Sequence, residues 1–291
     1  MRNTPVLPPW DQWTGGGARV PVGGHKIFVR RDGPANGMPV TLLHGFPTSS
    51  HDWAPIVPTL AAAGLCVTTL DFLGFGESDK PRRHTYSVLE QADLVEEVWR
   101  RTDTGRTALV AHDYGVSVGQ ELLARDPARV THMVWLNGGL YPDLHRPVLT
   151  QRLLHGPLGP LIAPLTTRRR FGATLRGVLG RELCDADLRE LWAAASRAGG
   201  KRRAPRLLRY IDERLMHRER WTAALEEYPG PALFVWGPAD PISGAHVLAR
   251  VRTTVPRASV VELSGPPAVG HYPQLEDPAA VAEALRSFLT S

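Results

Sequence analysis

Thr107-Ala-Leu-Val-Ala-His-Asp-Tyr-Gly-Val-Ser-Val-Gly119 is the stretch on which the fold turns. Its first five residues are apolar enough for a strand buried on both faces, and the run stops abruptly at Ala111. A helix-compatible segment begins almost at once. A strand that turns straight into a helix through small residues is the setting of a nucleophile elbow, which lifts one side chain above a sheet. Two pentapeptides compete for that turn, Ala111-His-Asp113-Tyr-Gly115 and Gly115-Val-Ser117-Val-Gly119. The second spells G-x-S-x-G, but the strand ends too early for it. The sharp turn falls at 112–114, which leaves Ser117 one turn into the helix and puts Asp113 at the apex. A carboxylate nucleophile attacks a carbon bearing a leaving group or a strained ring and forms an ester with it.

Working outward, strands are predicted at His25–Arg30, Val40–His44, Leu65–Asp71, Thr131–Leu136, Ala232–Trp236 and Ala258–Leu263. Helices are predicted at 51–63, 86–101, 115–125, 185–198, 205–217, 244–251 and 278–289. The strand–helix alternation breaks at Asn137-Gly-Gly139, and from Leu140 to Glu227 only helical pieces occur. The pattern predicts a mostly parallel α/β sheet with helices on both faces. The core comprises residues 1–139 and 228–291. A helical lid, residues 140–227, is inserted after the sixth strand, over the carboxyl ends of the strands where such sheets place their sites.

Three polar residues then fall just past strand ends, in the order Asp113, Asp240, His271. That is the nucleophile–acid–histidine order of one triad architecture and differs from both protease orders. In these roles His271 activates water and Asp240 orients its imidazole. His44-Gly-Phe-Pro47 follows a buried strand directly, so the N–H of Phe46 can join that of Tyr114 as an oxyanion hole. His112 flanks the elbow and points away from the cleft. His51, His84, His132, His145 and His217 are expected at the surface or the core edge.

These motifs, with Asp71-Phe-Leu-Gly-Phe-Gly-Glu-Ser-Asp-Lys-Pro81, Gly237-Pro-Ala-Asp-Pro241 and Gly270-His-Tyr-Pro273, resemble the α/β-hydrolase superfamily in its epoxide hydrolase and haloalkane dehalogenase branch. The resemblance implies hydrolysis through a covalent ester, without metal or organic cofactor. Dehalogenases of that branch hold the leaving halide with an Asn after His-Gly and a Trp after the nucleophile. Phe46 and Tyr114 stand at those places here. Epoxide hydrolases use two lid tyrosines to protonate the opening oxygen. The resemblance therefore implies substrate contacts at Tyr210, with Tyr141 the candidate for the second tyrosine, and at His44. Epoxide hydrolysis is the leading expectation. Dehalogenation and ester or lactone hydrolysis are the enzymatic alternatives, and a non-catalytic binding or regulatory homologue is the alternative of another class.

Composition narrows the setting. The 43% hydrophobic and 22% charged residues suit an ordinary core, and no apolar run approaches the ~18 residues of a membrane span. Met1–Gly24 lacks the basic segment and apolar run of a signal peptide, so a cytoplasmic location is expected. Cys66 and Cys184 offer neither a disulfide framework nor metal spacing. Nucleic-acid motifs are absent, and the expected partner is a small apolar substrate. The net charge of +5 is unevenly spread: 17 basic against 8 acidic residues between Leu140 and Thr222. This excess either attracts an anionic substrate or surface, or is the solvated face of an arginine-rich lid. The bias of 31 Arg to 3 Lys favours solvation.

Overall fold

Every residue of the strand Thr107–Ala111 is buried, and its alternate side chains enter two different cores in the computed structural model, which describes residues 4–291. Leu109 and Ala111 join Leu43, Trp99 and Trp135 on one face. Ala108 and Val110 join Val40, Val134 and Leu285 on the other. A continuous apolar run is thus what a strand covered on both faces requires.

In chain order the first elements are α1 (Trp10–Gly15), β1 (Gly17–Val22), β2 (His25–Asp32), β3 (Pro39–Leu43), α2 (Val57–Ala62) and β4 (Cys66–Leu70). They are followed by α3 (Val88–Arg101), β5 (Thr107–Ala111), α4 (Tyr114–Arg125) and β6 (Val130–Leu136). Helices α5 (Leu149–His155), α6 (Gly159–Ile162), α7 (Arg168–Arg176), α8 (Asp185–Ser196), α9 (Ala204–Leu207), α10 (Tyr210–Met216) and α11 (Arg218–Glu227) form an insertion before β7 (Ala232–Trp236). The chain ends with α12 (Ala245–Thr254), β8 (Ser259–Glu262), α13 (Pro273–Glu276) and α14 (Pro278–Leu289). The eight strands lie in the order β1-β2-β4-β3-β5-β6-β7-β8. β2 runs antiparallel to both its neighbours, β1 and β4, and every other adjacent pair is parallel.

Departures from the sequence reading have local causes. β1 carries Pro21 and two flanking glycines, which mask it as a strand; it forms the sheet edge, where proline is tolerated. The helix predicted over 51–63 is a 3-10 turn, Ser50–Trp53, followed by α2, because Pro55 lies between them and cannot donate to a helical ladder. The helix predicted over 205–217 divides into α9 and α10.

The insertion is tied to the core from two sides. Trp221 Nε1 on α11 donates to Glu121 Oε2 on α4 at 2.8 Å, and Gln120 Nε2 donates to the Trp221 carbonyl at 3.3 Å. At the other end, the buried Asp187 on α8 accepts the N–H groups of Val6 and Leu7, both at 2.9 Å. His51, expected at the surface or the core edge, is fully buried beneath this segment, with Nε2 2.9 Å from the Pro8 carbonyl. Burial pushes its imidazole down to about 4, so it stays neutral. Asp187→Ala leaves two amides without an acceptor and should cost about 1–3 kcal/mol of stability. Hydrogen exchange should report it as lost protection at Val6 and Leu7, with the β5 amides unchanged.

Candidate active site

The turn after β5 is strained at one residue. Asp113 sits at φ +47° and ψ −104°, a conformation that residues with a side chain rarely adopt. Two glycines let the turn pack this tightly. A Cβ on Gly115 would lie 2.6 Å from the Leu43 carbonyl oxygen, and one on Gly45 would lie 2.7 Å from His112 Nδ1. The strand thus delivers a carboxylate to its carboxyl end, with β3 and its His-Gly turn pressed alongside.

Three of the predicted residues meet there. Asp113 Oδ2 lies 3.3 Å from His271 Nε2, and His271 Nδ1 lies 2.7 Å from Asp240 Oδ2. All three are buried. Burial alone would push the His271 imidazole down, but the Asp240 and Asp113 carboxylates hold it up to about 10. Burial would likewise raise Asp113, yet the hydrogen bond and charge of His271 hold it well below the usual carboxylate range. The two carboxylates thus favour the protonated form of the imidazole.

Phe46 donates its N–H to Asp113 Oδ1 at 2.7 Å. Tyr114, whose N–H is the expected second donor, opens α4 beside it, and the Asp113 side chain does not cap that helix. Ser117 is fully buried one turn on, where its Oγ accepts from Arg214 Nε at 2.7 Å. Tyr210 is buried with its ring 5.0 Å from that of Tyr114, and its hydroxyl has no hydrogen-bond partner. Burial, followed by the Asp113 charge, pushes its phenol up.

Two expected substrate contacts are displaced from the site. The Tyr141 hydroxyl meets Thr254 Oγ1 at 2.6 Å at the end of α12, so it is spent on packing the insertion against that helix. His44 is wholly buried, accepts the Phe72 N–H at Nε2, 3.1 Å away, and stacks against Phe72 and Phe75. Its role is to pin the loop after β4, because its ring has no open face toward a ligand.

Other residues the sequence reading passed over build the site. Asn137, seen only as the end of the alternation, donates from Nδ2 to Asp240 Oδ2 at 3.0 Å, and its carbonyl accepts the Asp113 N–H at 2.9 Å. Arg214 is 2% exposed and donates from Nη2 to the Asp113 carbonyl at 3.0 Å. Nothing distinguishes it in sequence from its solvated neighbours. His112 points away from the cleft as expected, but it underlies the site. Burial pushes it down to about 4, so it is neutral, with Nε2–H donating to the His271 carbonyl at 2.7 Å. Glu276 gathers the N–H groups of Gly180, Arg181, Gly270 and Tyr272 at 2.8–2.9 Å, joining the His271 loop to the insertion. His145, expected near the surface, has both ring nitrogens buried and unpartnered. Burial, then the Arg214 charge, pushes it down to about 4.

A cleft reaches the site. Its wall is largely apolar and includes Phe46, Phe75, Leu154, Leu175, Trp192 and His271. Of Asp113, His271 and Tyr210, only His271 belongs to that wall. One trio elsewhere has metal-ligand chemistry: His25, His84 and Glu90 bring ligand atoms within 4.8 Å of one another. It sits on β2, the approach to α3 and α3 itself, which carry none of the site residues, and His84 Nε2 already lies 2.6 Å from Glu90 Oε2.

The profile of the alpha/beta hydrolase fold matches residues 38–278, and the chain belongs to that family. It is 41% identical over 294 residues to LipZ of Mycobacterium tuberculosis, covering 96% of this chain and 97% of that protein. It is 39% identical over 301 residues to the mesoderm-specific transcript protein of Mus musculus, covering 98% and 89%. Among solved structures it superposes on the haloalkane dehalogenase DatA from Agrobacterium tumefaciens C58 with a TM-score of 0.80 and 24% identity, covering 94% and 96%. That likeness is one of fold.

Because the His271 proton is held more tightly in the folded state, its stabilising effect is complete below ~6.5. It fades as the pH rises through about 10. Asp113→Asn removes one of the two charges holding that proton. Titration of the His271 ring by NMR should show its midpoint falling by ~1–3 pH units in that variant. Thermal stability should then decline at a lower pH than in the wild type. An unchanged midpoint would mean that Asp113 does not share the proton.

Proposed function

We propose that this α/β-hydrolase opens epoxides carried on apolar molecules, through a covalent ester on Asp113. The observation that carries the reading is the contrast at the elbow. The Asp113 carboxylate faces an imidazole, whereas the Ser117 hydroxyl is buried and engaged by Arg214. An ester hydrolase of the serine type would need the reverse.

In the first half-reaction, Asp113 Oδ2 attacks a ring carbon and the C–O bond to the epoxide oxygen breaks. Tyr210, whose buried hydroxyl has no partner and feels the Asp113 charge, donates the proton that the leaving oxygen needs. The His271 imidazolium restores that proton to Tyr210. It can do so because the ester has removed the Asp113 negative charge that held it. Neutral His271, oriented by Asp240, then takes a proton from water as hydroxide attacks the ester carbonyl. Base help of this kind is worth ~10²–10⁴ in rate. The negative charge that develops on Oδ1 is met by the Phe46 N–H. Collapse releases the diol, protonated by His271, and the new Asp113 carboxyl returns its proton to the imidazole. Water and epoxide are consumed, and both groups regain their resting charges.

The insertion over residues 140–227 acts as a lid that keeps bulk water from the ester. Phe46 and Tyr114 supply neither the amide nor the indole that a departing halide would need at those two places. This favours epoxide over haloalkane.

Steady-state and single-turnover assays with a series of aryl and alkyl epoxides test the proposal. Asp113→Asn should abolish turnover, while Ser117→Ala should retain it within a few-fold. Tyr210→Phe should slow ester formation by ~10²-fold or more, the scale of one lost oxyanion donor. Halide release from simple haloalkanes, with no epoxide turned over, would overturn the assignment.

A further inference from the structure

We propose that the outer face of α5, α6 and the start of α7 docks on the surface of an anionic lipid bilayer. Seven large apolar side chains stand exposed among the described residues, and five are leucines within one short stretch of the insertion. Leu149 and Leu153 are 69% and 47% exposed, and Leu158, Leu161 and Leu165 are 61%, 71% and 64% exposed. Their spacing puts each set along one side of its helix, opposite the buried Gln151, Leu154 and Ala163. Helices α5 and α6 pack on one another, so the two sets adjoin. The other two exposed residues, Leu215 and Met216, lie on α10, which His155 on α5 joins through Asp212 at 3.0 Å. A contiguous exposed apolar patch on a soluble domain marks an interaction surface.

Charge says which surface. From Arg146 to Arg176 the chain has six arginines and no aspartate or glutamate. Arg146, Arg152, Arg168, Arg169 and Arg170 are exposed around the leucines, while Arg176 reaches Asp185 at 2.5 Å. Leucines that enter the acyl boundary, ringed by arginines at the headgroup level, are the two signals that stable interfacial binding needs. A second copy of this chain is a poor occupant, since an isologous contact would press the same cationic surface against itself. Solvation, which the arginine bias of the sequence favours, explains the charge and leaves the leucines unexplained.

The inner faces of the same helices contribute Gln151, Leu154, Phe171 and Leu175 to the cleft wall. Docking therefore places the cleft beside the bilayer, where apolar substrates concentrate. The binding claim itself does not depend on the chemistry at Asp113.

Flotation of the full chain with vesicles tests it, comparing pure phosphatidylcholine with phosphatidylcholine carrying about a third phosphatidylglycerol. The variants are Leu158→Ser with Leu161→Ser, and Arg168→Gln with Arg169→Gln, each checked for native circular dichroism. The wild type should float with the anionic vesicles and stay behind with the neutral ones. Both variants should lose binding on the order of tenfold, the arginine pair contributing electrostatic attraction and the leucine pair acyl contact. Failure of the wild type to bind anionic vesicles, or wild-type binding by both variants, would overturn the proposal. So would a wild-type dimer in light scattering that the leucine substitutions dissolve, which would assign the patch to self-association.

Discussion

The site depends on charge balance among buried groups. Asp113, Asp240, His271 and Arg214 are each at most 3% exposed and lie at the carboxyl end of the sheet. Two carboxylates flank the His271 ring, and Arg214 lies alongside through the Asp113 carbonyl, so the four charges balance when His271 carries its proton. Any one of these charges buried alone would cost several kcal/mol. Each therefore supports the folded state only while the others are present. The surrounding polar groups serve that balance. Asn137, Ser243 and the Ile242 N–H satisfy Asp240, and Glu276 and His112 fix the loop that carries His271.

The same balance gives the proposed reaction its order. Ester formation at Asp113 removes one negative charge and leaves the cluster with an excess cation. His271, which lies between the two carboxylates, is the group that relaxes. A histidine that is an acid at rest becomes a base once the intermediate exists, with no movement of the backbone. Strain at Asp113 fits this account, since the elbow holds the carboxylate against the imidazole at the expense of an unfavourable φ.

What the sequence reveals and conceals follows from the kind of signal each residue leaves. The bounds of β5 and β7 agree with the apolar runs 107–111 and 232–236, because a strand buried on both faces is built almost wholly of apolar residues. Asp113 and Asp240 stand just past such runs, and His271 lies in the loop after the edge strand β8. β1 is hidden by Pro21, and its place at the edge explains why the fold tolerates that residue. Arg214 is hidden for the opposite reason. It lies among many arginines, and only the tertiary packing of α10 over α4 separates the buried one from those in solvent. Tyr141 shows the limit of carrying a role across by residue type, since a phenol early in the insertion turns toward Thr254 instead of the cleft.

The central claim is that Asp113 becomes an ester. Its most direct test is the intact mass of His271→Gln after incubation with an epoxide that the wild type hydrolyses. Without the imidazole the ester should form and persist. The account predicts a mass increment equal to the epoxide, located on the peptide bearing Asp113 and absent when Asp113→Asn is added. An unmodified protein, or an adduct on Ser117, would contradict it.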